Sequence, residues 1–298
     1  MAIQQVRIQV NGTWHTLTQG EDGQWTGQFS APAQTSFNLS GGYYPVTVEA
    51  TNAAGTSTTV DANSPTIGES LRLVVREKIA PVISITSPQN NAHVSNNQQP
   101  ITFTVTDEAG GSGVNPDSIV VKINGANVDA VDKQPITNGY SCTATPTALE
   151  DGQCTVTVDA ADNDGNAAVQ KSIVFYVDTI APTLDVTSPA EGLVTATAAI
   201  TVAGTTNDAT SSPVTIQINV NGTDQGAIPV QDGAFSKSVT LQEGANTIIV
   251  TATDGAGKQT KIERHVTLDT SVPNITSVKL VPNPADAGAT VVVTVVVS

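Results

Sequence analysis

The residues of this chain best suited to chemistry are carboxylates grouped around tight turns. Asp162 and Asp164 lie in Asp162-Asn-Asp-Gly-Asn166, Asp178 stands four residues before Pro182, and Asp107-Glu108 precedes Gly110-Gly-Ser-Gly113. Oxygens so spaced suit a hard cation such as Ca2+, which needs about six to eight of them. No stretch reaches the spacing of an EF-hand loop. The equivalent turns Asn52-Ala-Ala-Gly55 and Asp254-Gly-Ala-Gly257 carry fewer carboxylates. Turn geometry alone favours Asp, Asn and Gly at such places. Turn chemistry explains these residues without a metal; Asp107, Asp162, Asp164 and Asp178 are the candidate ligands should Ca2+ bind, and no other cofactor is expected.

Other reactive groups are sparse. Cys142 and Cys154 are the only cysteines. Strand parity places Cys142 with Tyr140 and Cys154 with Val156, so both could face one core. They would be either a disulfide, contributing roughly 3 kcal/mol, or two buried thiols, as synthesis in a reducing compartment favours. Their spacing excludes a CxxC redox motif. His15, His93 and His265 are far apart in sequence, and no Gly-x-Ser-x-Gly, phosphate loop or paired zinc spacing occurs. The serines lack a neighbouring base. No enzyme activity is expected. Trp14 is a candidate contact, as an interface anchor or sugar platform. Counted from the nearest Asn-Gly pair, it aligns with the polar Asn127 and Asp224. Alternatively it caps the open end of its module. Tyr43 is a second candidate contact, expected to be exposed, whereas Tyr44 aligns with Cys154 and points inward.

The elements that carry these residues repeat three times. Val10-Asn-Gly-Thr13, Ile123-Asn-Gly-Ala126 and Val220-Asn-Gly-Thr223 are each followed by an aromatic residue: Trp25, Tyr140 or Phe235. Each then leads to a strand, Val46-Thr-Val-Glu-Ala50, Val156-Thr-Val-Asp-Ala160 or Ile248-Ile-Val-Thr-Ala252. The Asn-Gly pairs predict hairpins with type I′ turns, because both corners need positive φ. Val46, Val48 and Ala50 share one face of their strand, as do their counterparts, and Thr, Glu and Asp dominate the other face. This predicts sheets wet on one side. The three aromatics are expected in the cores. Module seams show as Ile79-Ala-Pro81, Ile180-Ala-Pro182 and Ser271-Val-Pro273. The steps between these prolines are 101 and 91 residues (182 − 81 and 273 − 182), close to the roughly 100 residues of an immunoglobulin-type sandwich. The expected domains are 1–78, 79–178 and 179–270, with 271–298 an incomplete fourth module or a docking pair of strands. The expected fold is all-β, tandem immunoglobulin-like β-sandwiches in an elongated rod.

In that last segment Ile275–Leu280 and Thr290–Val297 read as two strands, the second apolar on both faces. Two strands alone are not stable in water, and bare apolar edges aggregate. Either the sequence is a piece of a longer protein, or these strands complete a neighbour's sheet, with Val291, Val293, Val295 and Val297 as the docking strand.

Composition excludes some partners. A net charge of −15, with 12 basic residues against 27 acidic ones, cannot make a phosphate-binding stripe. The same charge is repelled by anionic membranes, so neither nucleic acid nor membrane is an expected partner. No apolar run reaches the roughly 18 residues of a membrane span. Met1–Val10 lacks the basic and apolar regions of a signal peptide and already alternates like a strand. Synthesis in the cytoplasm is therefore expected.

The phrases Ile79-Ala-Pro-Val-Ile-Ser-Ile-Thr-Ser-Pro88, Thr106-Asp-Glu-Ala-Gly-Gly-Ser-Gly-Val114, Asp162-Asn-Asp-Gly-Asn166 and Leu241-Gln-Glu-Gly-Ala-Asn-Thr-Ile-Ile-Val-Thr-Ala-Thr-Asp254 resemble bacterial immunoglobulin-like (Big-type) repeats. Ser70-Leu-Arg-Leu-Val-Val-Arg-Glu77 and Pro282-Asn-Pro-Ala-Asp-Ala-Gly288 are similar to segments of immunoglobulin-like proteins from prophage tail regions of Gram-positive gut bacteria. The resemblance implies a non-catalytic structural and adhesive component of a phage tail or phage-derived particle. Its partners would be other particle proteins, and cell-surface or mucus glycans. Its location would be the virion after assembly in the cytoplasm. The alternative is a fragment of a secreted surface adhesin with calcium-stiffened repeats. A third reading is a row of accessory domains beside a carbohydrate-active enzyme.

Overall fold

The computed structural model describes residues 2–298, and among them it is built of strands with two short 3-10 turns, Gly68–Leu71 and Pro116–Ser118. The fold is all-β, made of tandem immunoglobulin-like β-sandwiches. The chain divides into two compact units, 1–177 and 178–298.

In the first unit, residues 3–73 form one main antiparallel sheet beside a separate short pair, Thr18–Gln19 with Trp25–Thr26. The strands of the main sheet run in the order Thr13–Thr16, Ile3–Val10, Tyr44–Asn52, Ser57–Val60, and Arg72–Leu73 also pairs with Tyr44–Asn52. Its core is thin: Val10, Val46, Ala62 and Leu71 are the buried members. Val48 and Ala50 are only half-buried. The sheet is covered by loop residues such as Phe29 and Ala62 rather than by a second broad sheet, so alternation buries fewer side chains.

Residues 82–177 close a full sandwich. One sheet runs Val131–Ile136, Gly139–Ala144, Ile101–Thr106, Val82–Ser87. The other runs Ala126–Asn127, Val120–Ile123, Gly152–Asp159, Lys171–Val177, Ala92–Val94, the last pair being parallel. Ile101, Phe103 and Val105 face Val156, Val158 and Phe175 in a core where all six are at most 1% exposed. Each such side chain contributes roughly 1.5–3 kcal/mol through burial.

The second unit repeats this plan. Thr183–Ser188, Ala199–Asn207, Ala234–Thr240 and Val230–Gln231 form one sheet. The other comprises Leu193–Thr195, Gln259–Leu268, Gly244–Thr253, Thr215–Val220 and Thr223–Asp224. Val202, Ile218, Ile248, Val250 and Ala252 are fully buried between them. Pro81 and Pro182 each stand one residue before the first strand of their sandwich, where a missing N–H costs no ladder bond.

The three Asn-Gly turns adopt the predicted left-handed corners, with φ of 47° and 78° at Asn11-Gly12, 51° and 83° at Asn124-Gly125, and 49° and 84° at Asn221-Gly222. The aromatics behave less uniformly. Phe235 is buried and Tyr140 packs half-buried against its core. Trp25 lies outside the first core, on a short strand pair with Thr18–Gln19. Ile275–Val281 and Val292–Val297 form a hairpin that pairs only with itself and leaves every residue exposed.

Candidate functional site

Two trios of carboxylates are the most concentrated chemistry in the fold. In the first, Glu77, Asp107 and Asp162 each bring an oxygen within 4.8 Å of the others. Asp107 leaves the strand Ile101–Thr106, Asp162 opens the turn after Gly152–Asp159, and Glu77 arrives from the segment leading to Pro81. Backbone amides hold each carboxylate by one oxygen. The Ser112 N–H donates to Glu77 Oε1. The Gly113 N–H donates to Asp107 Oδ2 at 2.8 Å, and the Asn166 N–H to Asp162 Oδ1 at 2.8 Å. Asp162 Oδ2 accepts from the Asn166 side chain at 2.7 Å. Glu77 Oε2, Asp107 Oδ1 and Glu108 Oε2 are buried with no hydrogen-bond partner. Gly111 makes the approach feasible: a Cβ there would sit 2.8 Å from oxygens of Asp107, Glu108 and Glu77. Burial pushes the Asp107 carboxyl above the usual carboxylate range. The Gly113 amide opposes that rise, and the charges of Glu77, Asp162 and Asp164 add to it.

The second trio, Asp178, Asp208 and Asp254, meets the same 4.8 Å criterion. Asp178 is 0% exposed, Asp254 6% and Asp208 9%. Asp178 Oδ1 accepts from the Ile180 N–H at 3.1 Å. Asp208 Oδ1 accepts from the N–H groups of Thr210 and Ser211, both at 2.8 Å. Asp254 Oδ1 accepts from those of Ala256 and Lys258, both at 2.9 Å. Asp178 Oδ2 and Asp254 Oδ2 are buried and unpartnered. No basic side chain forms an ion pair with any of these six acids among the described residues.

The sequence pointed to Asp107, Asp162 and Asp178 but not to Glu77, Asp208 and Asp254. A positional signal was present. Glu77 and Asp178 both stand four residues before a seam proline (81 − 77 and 182 − 178), and Asp107 and Asp208 both stand 26 after it (107 − 81 and 208 − 182). Asp164 has another task. Its Oδ2 accepts from the Thr35 hydroxyl at 2.6 Å and the Glu77 N–H at 3.0 Å, tying the first sheet to the sandwich of residues 82–177.

Cys142 and Cys154 lie on facing sheets of one core, 1% and 2% exposed, and both are free thiols. Burial pushes the Cys142 thiol up to about 11 and raises that of Cys154 as well. The histidines sit on three different strands. His15 stacks on Phe29, His93 stacks on Tyr176, and His265 pairs with Glu191 and Glu263. Trp14 is 37% exposed beneath the Arg7 guanidinium, which lies 4.3 Å from its ring centroid and bonds Glu49 at 2.7 Å. Trp14 therefore lies on the wet face of its sheet, outside the first core. Tyr43, expected to be exposed, is half-buried: it packs against that core, with Arg72 5.1 Å above its ring. Residues 206–233 also line a cleft of about 580 Å³, with Pro213, Val214 and Ile228 as its apolar wall and Asp208 and Asp232 as its acids.

Residues 81–158 match the family model of a bacterial Ig domain. Residues 182–270 match the model of glucodextranase domain B. Among solved structures the chain is similar to the fibronectin(III)-like modules of CbhA from Clostridium thermocellum, at 16% identity over 63% of this chain and 94% of that one, TM-score 0.43. It is also similar to the N-terminal eight Ig domains of Down Syndrome Cell Adhesion Molecule, at 15% identity over 90% of this chain and 33% of that one, TM-score 0.39. A third similarity is to the D00–D0 domain of Intimin, at 16% identity over 63% of this chain and 100% of that one, TM-score 0.28. No curated protein matches the chain. No helix among the described residues is long and apolar enough to cross a membrane.

Proposed function

We propose that this chain is a non-catalytic structural and adhesive component of a phage tail or phage-derived particle, assembled in the bacterial cytoplasm and carried out with the particle. The observation that carries the reading is repetition: one sandwich plan, with its polar faces outward, is built twice in succession along the chain. Such repetition suits spacing and presentation. Residues 1–78, 79–178 and 179–270 act as the presenting modules, and 271–298 as the docking segment.

The hairpin supports the docking role. Val278 and Leu280 pair with Val295 and Val293, and together with Val291 and Val297 they make an apolar face 37–60% exposed. Strand addition by a particle protein would bury that face and satisfy the open edges. Trp14 and the neighbouring sheet face offer weak contact to wall or mucus glycans. Deleting 274–298 is expected to abolish incorporation into particles while leaving the melting of the two sandwiches unchanged. Unchanged incorporation contradicts the docking role.

A second reading is favoured by the glucodextranase domain B match at 182–270: a row of accessory domains accompanying a carbohydrate-active enzyme. A hydrolase beside this gene, in place of tail genes, would support it against the first.

A further inference from the structure

We infer that the two carboxylate trios are equivalent Ca2+ sites, one formed by Glu77, Asp107 and Asp162 and the other by Asp178, Asp208 and Asp254. This is independent of whether the modules belong to a particle, an adhesin or an enzyme. The trios occupy matching places in two sandwiches. In each, one acid lies four residues before the seam proline, one follows the strand Ile101–Thr106 or Ala199–Asn207, and one opens the turn after Gly152–Asp159 or Gly244–Thr253.

Turn chemistry does not account for the charges. The matching turn of the first sheet is built with neutral Asn52, whose Oδ1 accepts from the Ala54 and Thr56 N–H groups at 2.9 and 3.0 Å. Asp254 uses its Oδ1 in the same way, so an amide would serve the backbone equally well. Yet aspartate stands there wherever two further acids converge. Three converging carboxylates, at least two of them buried in each trio, have no basic partner; they repel one another and lose hydration, a large cost unless something neutralises them. Each trio also keeps oxygens that the protein leaves unpartnered: Glu77 Oε2 and Asp107 Oδ1 in one, Asp178 Oδ2 and Asp254 Oδ2 in the other. Asp107, Asp178 and Asp254 are more than nine-tenths buried.

The donor set names the ion class. All six groups are carboxylates, with no thiolate or imidazole, which selects a hard cation over zinc or copper. Carboxylates held irregularly by backbone amides suit the tolerant coordination of Ca2+ better than the strict octahedron of Mg2+, which gives up its waters reluctantly. Water and further carboxylate oxygens, Glu108 among them in the first site, would complete the shell. Ca2+ in the first site would fix the segment leading to Pro81 onto the tip of the following sandwich. Ca2+ in the second would do the same for the segment leading to Pro182.

The test is calorimetric titration of the full chain with CaCl2 after EDTA treatment, with thermal melting in parallel. Two equivalents should bind, with affinity in the range of about 10⁻⁵ to 10⁻³ M, and melting should rise in millimolar Ca2+, by about 2 °C at the weak end of that range and about 5 °C or more at the tight end. MgCl2 should bind at least tenfold more weakly. Asp107→Asn and Asp178→Asn should each remove one equivalent, and the double substitution both. In EDTA these substitutions should leave melting equal or higher, because they relieve repulsion, whereas in Ca2+ they should lower it. Gly111→Ala, which changes no charge, should remove the first equivalent only. Absence of Ca2+ binding up to about 10 mM would overturn the proposal and leave protons as the neutralising agent. A single equivalent, or two that survive the double substitution, would equally contradict it.

Discussion

Cys142 and Cys154 show how burial decides reactivity. Both lie in the core between the sheets of residues 82–177. With its thiol near 11, Cys142 is ionised to only about a thousandth at pH 8, and the thiolate is the reactive form. We expect neither cysteine to react with a thiol reagent such as DTNB within an hour in the native protein, and both to react in denaturant. Rapid native labelling of either would contradict the packing. Parity along the strands made their inward direction legible, because period two leaves no choice of face. Whether they would bond was not legible, since that depends on the separation of two sheets. Glu77, Asp208 and Asp254 were hidden for a related reason. Each is unremarkable in its local sequence; only distance from the seam proline, compared between modules, marks Glu77 and Asp208, and the fold is needed to bring Asp254 to its partners.

At the scale of elements, the Asn-Gly hairpins were the most legible feature, because two consecutive positive φ angles leave few residue choices. Gly125 at φ 83° and Gly222 at φ 84° are each the second corner of such a turn. Gly125→Ala is expected to destabilise its sandwich by about 1–2 kcal/mol in urea unfolding, with no change in m value. A change under 0.3 kcal/mol, by the same estimate of left-handed strain, would mean that the turn relaxes to another type. Alternation was legible wherever a second sheet supplied the opposing face. It failed in the first sheet, where Val48 and Ala50 stay half-buried and Trp25 leaves the core. A pattern of alternating residues reports which side can be buried, not what arrives to bury it.

At the scale of the molecule, each sandwich has a core of its own. The interiors of 82–177 and 183–268 share no buried residue. The first sheet has a far smaller interior, and the hairpin 275–297 has none. Local stability should follow those interiors. The most direct measurement is amide hydrogen exchange read segment by segment across the full chain. We predict two strongly protected blocks, centred on Ile101–Val105 with Val156–Val158 and on Val202 with Ile248–Ala252. Protection should be intermediate over Ile3–Val10 and Tyr44–Asn52, and near absent over 275–297. A single block of uniform protection spanning all these segments, with the hairpin as protected as the sandwiches, would contradict a chain made of self-contained modules.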